Sequence, residues 1–181
     1  MAAAPLSPER YFSRISAIDI RHDLLDAGLN HVLLDVDNTI LSRATHDIPR
    51  DVGVWLGKAR DAGVRFCLVS NNWHGSVYQL GGVLQLPVVG KSMKPMPQGF
   101  LLGMKKIGGN RKNTVVVGDQ MLTDVLGGHL VGLPVYMVQP LVEVDLPHTM
   151  ALRSLERVLL GNRRPEPVAT ANCKKACEDA Q

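Results

Sequence analysis

The sequence predicts an α/β fold in which a mainly parallel, Rossmann-like sheet lies between two layers of helices. Short apolar runs typical of buried strands alternate with longer segments whose apolar residues recur at helical spacing. Glycine and proline residues punctuate the boundaries between these segments. The connections are short and leave no obvious place for an inserted cap domain, so we expect a three-layer α/β/α sandwich with minimal or no cap.

The predicted core elements follow one another as strand–helix units. The first strand is HVLLDV, over 31–36, and an amphipathic helix over 51–63 follows it, with Gly63 as its end. One face of this helix carries Val52, Trp55, Leu56 and Ala59. The later elements alternate in the same way, with strands over 64–70, 87–90, 113–118 and 134–140, and helices over 76–86, 97–109 and 123–132.

Residues 1–160 are predicted to form a single domain. Its N-terminal part, 1–28, resembles two short helices packed on the core, the second ended by Gly28, and a further helix is predicted over 149–161. The polar composition of 161–181 predicts a disordered tail. Cys173 and Cys177 lie in this tail with no further metal ligands nearby, so a metal site is not expected there.

Composition limits the possible classes of protein. Of 181 residues, 45% are hydrophobic and 20% charged, which is typical of a globular domain. The net charge is only +3 and the basic residues are scattered, which argues against a nucleic-acid partner. Since no membrane-spanning run or signal-peptide core is present, we expect a cytoplasmic protein. Cys67 lies in an apolar run and is expected to be a buried packing residue.

The N-terminal segment mixes aromatic, basic and apolar residues as interfacial helices do. These residues are Arg10, Tyr11, Phe12, Arg14, Ile15 and Ile18. Two interpretations follow: peripheral contact with a membrane, or packing on the core with the arginines in water. The sequence leaves the oligomeric state open.

Polar residues follow four predicted strands. Asp35 and Asp37 end the first strand, Ser70 and two asparagines end the second, Lys94 lies beyond the third, and Asp119 and Asp124 follow the fourth. Ligands bind outside the carboxyl ends of parallel strands, so these side chains should meet at one edge of the sheet. Four carboxylates there would repel one another without a cation, and oxygen ligands in that number suit Mg²⁺.

These residues also carry a family resemblance. DVDNT, VSNN, the KP lysine and GDQMLTD resemble, in this order, the four motifs of the haloacid dehalogenase-like (HAD) phosphatases. The segments GDQMLTDVLGG, KPMPQGF and ALRSLERVL are similar to those of the YqeG-type branch of this family. That branch is itself similar to the mitochondrial phosphatidylglycerophosphate phosphatase. The resemblance extends over about residues 6–160, so it implies a HAD-type, Mg²⁺-dependent phosphomonoester hydrolase.

The resemblance implies a role for each motif residue. Asp35 would be the nucleophile that forms an aspartyl-phosphate, and Asp37 the general acid and base. The phosphoryl group would be held by Lys94, Ser70 and Asn71. Supporting roles would fall to Asn38, Thr39 and Thr123, with Thr39 bonding Asp37 or its loop. The Mg²⁺ ligands would be Asp35, the backbone carbonyl of Asp37, Asp119, and Asp124 directly or through water.

Several alternatives stay open. Each aspartate taken singly is compatible with a turn or a helix cap, and only the ordered set favours a site. Trp73, His74, Arg43 and His46 are candidates for substrate contact or for an ordinary surface loop. The substrate could be phosphatidylglycerophosphate, through its phospholipid headgroup, or a soluble sugar phosphate or nucleotide. A phosphoacceptor signalling domain or a non-catalytic phosphate-binding domain would use a similar acidic pocket.

Overall fold

A computed structural model describes residues 6–73, 75–142 and 164–166. Its centre is a six-stranded sheet in which every neighbouring pair of strands is parallel. The strands are β1 (Arg10–Phe12), β2 (His31–Leu34), β3 (Arg65–Val69), β4 (Val88–Val89), β5 (Thr114–Gly118) and β6 (Val135–Val138). Their spatial order, β1-β6-β5-β2-β3-β4, puts β2 in the interior of the sheet with β5 and β3 beside it.

Helices cover both faces of this sheet. They are α1 (Arg50–Asp61), α2 (Ser76–Leu84), α3 (Pro97–Ile107) and α4 (Leu126–Leu130), and a wide helical turn, Met121–Val125, leads into α4. Alternate strand residues face opposite layers: Leu34 packs in the core under α1, whereas Leu33 packs with Phe100 of α3. The structure therefore confirms the predicted three-layer sandwich.

The buried faces of the helices match the apolar spacing in the sequence. The four residues predicted for the inner face of α1 are all buried: Val52, Trp55, Leu56 and Ala59. Gly63 follows α1 with a φ of +91°, a conformation that L side chains rarely adopt, so its predicted role as the end of the helix is confirmed. Cys67 is also buried, as predicted.

The prediction of helix for the first part of the N-terminal segment is wrong. Arg10–Phe12 forms β1, an edge strand whose Tyr11 lies opposite Met137 of β6. Two adjacent aromatic residues favour a strand, and an unpaired sheet edge is available to satisfy their backbone groups. Short helical turns follow at Ile15–Ala17 and Ile20–Leu25, and Gly28 ends the second with a φ of +74°.

The strand also removes the basis for membrane contact through this segment. Phe12, Ile15 and Ile18 are buried in the core under α1, so these apolar side chains cannot enter a lipid surface while the chain is folded. Charged residues of the segment form an ion-pair network around the buried carboxylate of Asp23. Arg10 binds Asp23 at 2.5 Å and also binds Glu166, and His22 contacts Asp23 at 2.6 Å. We call these four residues the edge cluster.

Some predictions concern residues that the structure does not describe. The helix over 149–161, the tail with Cys173 and Cys177, and His74 all lie outside the described residues. Among the helices that are described, none combines the length and the apolar character needed to cross a membrane.

Candidate active site

Parallel pairing brings three strand ends together at one edge of the sheet. Because β2 lies between β5 and β3, the residues that follow these strands emerge side by side. The N–H of Asp35 donates to the carbonyl of Val117 in β5 at 2.9 Å, and the N–H of Ser70 donates to the carbonyl of Val89 in β4 at 3.0 Å. The predicted convergence of the polar strand ends is therefore found in the structure.

Three carboxylates form the centre of this site. Asp35, Asp119 and Asp124 each offer an oxygen, and these oxygens all lie within 4.8 Å of one another. All three residues are buried, with exposed fractions of 6%, 3% and 1%. Buried like charges at this spacing repel one another strongly, because the low dielectric of the interior screens them poorly.

Lys94 is the cation within this cluster. Its ammonium donates to Asp124 at 2.7 Å and also donates to Asp35, and its side chain is buried. Burial by itself lowers the pKa of Lys94, but the charges of Asp124 and Asp35 outweigh it and hold the pKa above its usual value. Lys94 is therefore a permanent positive charge between two carboxylates.

Asp124 also helps to position the loop after β5. Burial raises the pKa of Asp124 to about 6, although the Lys94 charge opposes this shift. Its Oδ2 accepts the N–H of Gln120 at 3.1 Å. The hydroxyl of Thr123, predicted to support the site, donates to Gln120 at 3.2 Å, so it braces the same loop.

Asp37 lies at the more open side of the site. It is partly buried, and burial, followed by the charge of Asp35, raises its pKa. The hydroxyl of Ser70 donates to Asp37 at 3.4 Å. The positive charge of Arg43 acts in the opposite direction on this pKa. A carboxyl group with a raised pKa is suited to carry a proton.

The side chain of Asn71 ties two loops together around Lys94. Its Oδ1 accepts the N–H of Lys94 at 2.6 Å and the hydroxyl of Ser92 at 2.9 Å. Its Nδ2 donates to the carbonyl of Lys94 at 3.0 Å. The Lys94–Pro95 peptide bond is cis. Asn71 therefore holds the backbone that carries the lysine, a role that the sequence did not suggest.

The loop after β2 is fixed by its own hydrogen bonds. Thr39 donates to Asp35 at 3.3 Å, whereas the prediction had it supporting Asp37 or its loop. Asn38 is buried with a φ of +64°, and its side-chain oxygen accepts the N–H of Arg43 at 3.4 Å. This conformation is more accessible to asparagine than to most residues. Both predicted supporting residues therefore shape the loop that carries the aspartates.

Two residues of the site were missed by the sequence reasoning. Ser92 is buried and bonds Asn71, and only its position beside the KP lysine could have drawn attention to it. A Cβ atom on Gly118 would lie 2.3 Å from Cγ of Asp124, closer than real contacts allow. The glycine before Asp119 therefore makes room for Asp124 to reach Lys94. Of the residues predicted as candidates for substrate contact, His46 and Trp73 are exposed, and the Trp73 ring lies against the Lys91 ammonium.

The donor set is suited to a divalent cation. Asp35, Asp119 and Asp124 present only carboxylate oxygens, and Lys94 compensates one of their charges. The remaining negative charge is buried, and the groups lie within the span that one hard cation can bridge. Carboxylates, a lysine and hydroxyl donors at the carboxyl edge of a parallel sheet are the groups that phosphoryl transfer uses to hold a metal ion and a phosphate.

Comparison with known proteins agrees with this class. A family model for HAD-hydrolase-like proteins matches residues 92–140, which include Lys94 and Asp119. The probable phosphatase YqeG of Bacillus subtilis (strain 168) is 29% identical over 137 residues, which cover 76% of this chain and 80% of that protein. These matches show that the chain is similar to HAD-type hydrolases and to a probable phosphatase.

Two solved structures share the fold. An uncharacterized protein from Listeria monocytogenes serotype 4b has a TM-score of 0.51 at 14% identity, covering 70% of this chain and 99% of that one. A hypothetical protein from Xanthomonas campestris has a TM-score of 0.50 at 21% identity, covering 75% and 74% of the two chains. At these identities the likeness concerns the fold alone.

Proposed function

We propose that the protein is a HAD-type, Mg²⁺-dependent phosphatase that works through an aspartyl-phosphate on Asp35. The observation that carries the proposal is the placement of two carboxylates in different environments. Asp35 is buried against Lys94, whereas Asp37, two residues away, is more open and has a raised pKa. One carboxylate is thus suited to attack phosphorus in its ionised form and the other to carry a proton.

The proposed reaction has two steps. In the first, a carboxylate oxygen of Asp35 forms a bond to phosphorus while the bond from phosphorus to the leaving oxygen breaks, and Asp37 gives its proton to that oxygen. In the second, Asp37 takes a proton from water, the water oxygen bonds to phosphorus, and the bond to Asp35 breaks. Inorganic phosphate leaves, and both aspartates return to their starting states.

The other side chains would stabilise the charge that develops on the phosphoryl oxygens. Lys94 supplies a fixed positive charge, and the hydroxyl of Ser70 and the backbone N–H of Asn71 supply hydrogen-bond donors. Mg²⁺, held by Asp35, Asp119, Asp124 and the carbonyl of Asp37, would add positive charge at the same oxygens. Positioning and electrostatics of this kind account for most catalysis of phosphoryl transfer.

The test of this reaction is a pair of variants. We expect Asp35→Asn to lower turnover of p-nitrophenyl phosphate in Mg²⁺ by at least about 10³-fold, because the amide cannot act as nucleophile. Asp37→Asn should retain the nucleophile but lack the proton carrier, so radiolabelled phosphate should accumulate on the protein and be lost in the Asp35→Asn, Asp37→Asn double variant.

The matched control is Asp61→Asn, which changes an exposed aspartate at the end of α1 and should keep wild-type turnover. Retained activity in Asp35→Asn would refute the assignment of the nucleophile. Rapid turnover of the labelled protein also separates a phosphatase from a phosphoacceptor signalling domain, in which the label would persist.

Phosphatidylglycerophosphate is the proposed substrate, and the membrane surface facing the cytoplasm is the proposed location. The motif resemblance supports this choice. A second support is the short connection between β3 and α2, which runs only from residue 70 to residue 75. This connection is too short to contain an inserted domain that would enclose the site. An open site can admit the headgroup of a lipid that stays in its bilayer.

Hydrolysis of phosphatidylglycerophosphate in detergent micelles should be compared with a panel of soluble sugar phosphates and nucleotides. We expect kcat/KM for the lipid to exceed that of every soluble compound by at least about 100-fold, which corresponds to the binding energy of one or two well-made contacts. A soluble compound that matches the lipid would instead favour the soluble substrate class.

A further inference from the structure

We propose that a patch of four residues at the rim of the active site docks on an anionic bilayer surface. The patch consists of Trp73, Lys91, Met93 and Met96, and we call it the rim patch. The inference rests on the lipid substrate proposed above, because docking there would bring the site to the headgroup layer.

The rim patch belongs to the two loops that build the site. The N–H of Lys91 donates to the carbonyl of Asn72 at 3.2 Å, which joins the loop after β3 to the loop after β4. Asn71 fastens the same two loops around Lys94, as described above. The rim patch is therefore attached directly to the residues proposed to hold the phosphoryl group, and a surface that contacts it lies beside the mouth of the site.

Its apolar side chains project into solvent. Trp73 is 66% exposed, Met93 57% and Met96 51%. Lys91 and Met93 have φ values of +52° and +53°, and both point outward, whereas Ser92 and Lys94 between and after them are buried. Isolated exposed apolar residues are ordinary on protein surfaces, but three on two joined loops form a patch that points to an interaction.

The surrounding chain has an unusual charge. Residues 62–118 contain no aspartate or glutamate, yet they contain seven basic residues, of which only Lys94 is buried. Among the described residues, nine large apolar side chains are exposed, and seven of them lie in this acid-free stretch: Trp73, Tyr78, Val83, Met93, Met96, Leu101 and Leu102. Of the exposed basic residues in this stretch, Lys91 lies in the rim patch, whereas Arg65 begins β3 and Lys105 and Lys106 end α3, at the opposite edge of the sheet. The rim patch itself therefore combines three exposed apolar side chains with one exposed cation.

These properties fit a bilayer with anionic lipids. Tryptophan prefers the headgroup region, where its ring lies among acyl chains and its N–H among polar groups. The Lys91 ammonium lies 5.1 Å from the Trp73 ring centre, so a cation that can meet lipid phosphates accompanies the ring. Highly exposed side chains on loop tips can penetrate a headgroup layer, whereas a folded partner protein would require a larger complementary surface.

The test measures vesicle binding without turnover. Full-length protein is mixed with vesicles of phosphatidylcholine and phosphatidylglycerol, with pure phosphatidylcholine vesicles as the neutral reference. The chain has two tryptophans, and Trp55 is buried with its indole N–H bonded to Ile18 at 2.7 Å. A shift of tryptophan emission to shorter wavelength on adding vesicles, and quenching by lipids brominated on their chains, would therefore report on Trp73.

We expect the emission shift with the anionic vesicles and a weaker one with the neutral vesicles. In co-sedimentation, Trp73→Ala should lower the partition coefficient by at least about 10-fold, and Lys91→Glu by about 5-fold. Matched controls are Leu130→Ser, an exposed apolar residue of α4, and Lys58→Glu, an exposed cation of α1, and both should bind as wild type does.

Absence of the emission shift, or equal losses in the rim-patch and control variants, would overturn the inference. Self-association that the rim-patch variants abolish, without any vesicle binding, would assign the patch to a second copy and would also overturn it.

These vesicles contain no phosphatidylglycerophosphate, so the result is independent of the reaction. If micellar lipid is hydrolysed but vesicles are not bound, only the docking fails. If vesicles are bound but no lipid phosphate is hydrolysed, only the substrate proposal fails.

Discussion

The molecule contains two networks of charged side chains, each built around at least one buried aspartate, and the two networks compensate their charges in different ways. The edge cluster pairs Arg10 and His22 with Asp23 and Glu166, so positive and negative groups are matched in number when the histidine is protonated. The active site sets three buried carboxylates and the nearby Asp37 against the single ammonium of Lys94.

The difference separates a network that stabilises the fold from one that performs chemistry. In the edge cluster each charge gains a partner on folding, which offsets the cost of removing it from water. In the active site, folding brings like charges together with too few positive charges to compensate them. This repulsion destabilises the folded chain until a cation binds. That excess of negative charge is the property that lets the site recruit a cation and, with it, a phosphate.

The largest contrast should appear in activity. We expect Asp119→Asn to lower turnover at saturating Mg²⁺ by at least about 10²-fold, because the site loses one of its carboxylate ligands. Asp23→Asn, which also neutralises a buried aspartate, is the matched comparison and should keep the turnover of its folded fraction. Similar losses of turnover in the two variants would break the distinction between the networks.

The buried aspartates of the two networks, Asp124 and Asp23, should also respond to pH with opposite signs. The pKa of Asp124 is raised to about 6 by burial, so the folded chain binds more protons than the unfolded chain between about pH 4 and 6. Stability of metal-free protein should therefore fall as the pH rises through this window, by about 3 kcal/mol.

Urea unfolding of metal-stripped protein at several pH values checks this expectation. Asp124→Asn should remove most of the decline, and the remainder belongs to Asp37, whose pKa is shifted in the same direction. A decline of unchanged size in Asp124→Asn would contradict the assignment. In the edge cluster, burial raises the pKa of Asp23, but the bonds from His22 and Arg10 outweigh it and lower the pKa overall, so its stabilisation is lost only as the pH falls below the ordinary range of an aspartate.

The smallest expected effect is the loss of stability in the edge cluster. Asp23→Asn should lower the free energy of unfolding at neutral pH by about 2 kcal/mol, because Arg10, which is about a quarter exposed, loses one of its two charged partners. Its exposed counterpart, Asp26→Asn, should change stability far less, since its ion pair with Arg21 is long, at 4.0 Å, and solvated. Chemical denaturation without added Mg²⁺ measures the free energy of unfolding of both variants. Equal losses in the two variants would mean that burial of Asp23 contributes nothing to stability.

Much of the fold was predictable because it depends on local periodicity. The inner face of α1 follows directly from the spacing of Val52, Trp55, Leu56 and Ala59. β1 was not predictable in this way, because three residues carry no period and their strand conformation depends on an edge of the sheet that only the tertiary structure provides.

The same division applies to the site. Its aspartates and Lys94 could be assigned from motif order, since parallel strands must end at one edge. The contacts between side chains could not. That Thr39 bonds Asp35 rather than supporting Asp37, that Asn71 holds the Lys94 backbone, and that Gly118 makes room for Asp124 are consequences of packing at distances that spacing does not encode.

Whether the buried carboxylates hold Mg²⁺ can be measured by calorimetric titration of Mg²⁺ into metal-stripped protein, both wild type and Asp119→Asn. We expect one Mg²⁺ bound per wild-type chain and a loss of at least about 10-fold in affinity in the variant, since a carboxylate ligand is removed. Failure of the wild-type chain to bind Mg²⁺, or binding that is unaffected by Asp119→Asn, would contradict this expectation.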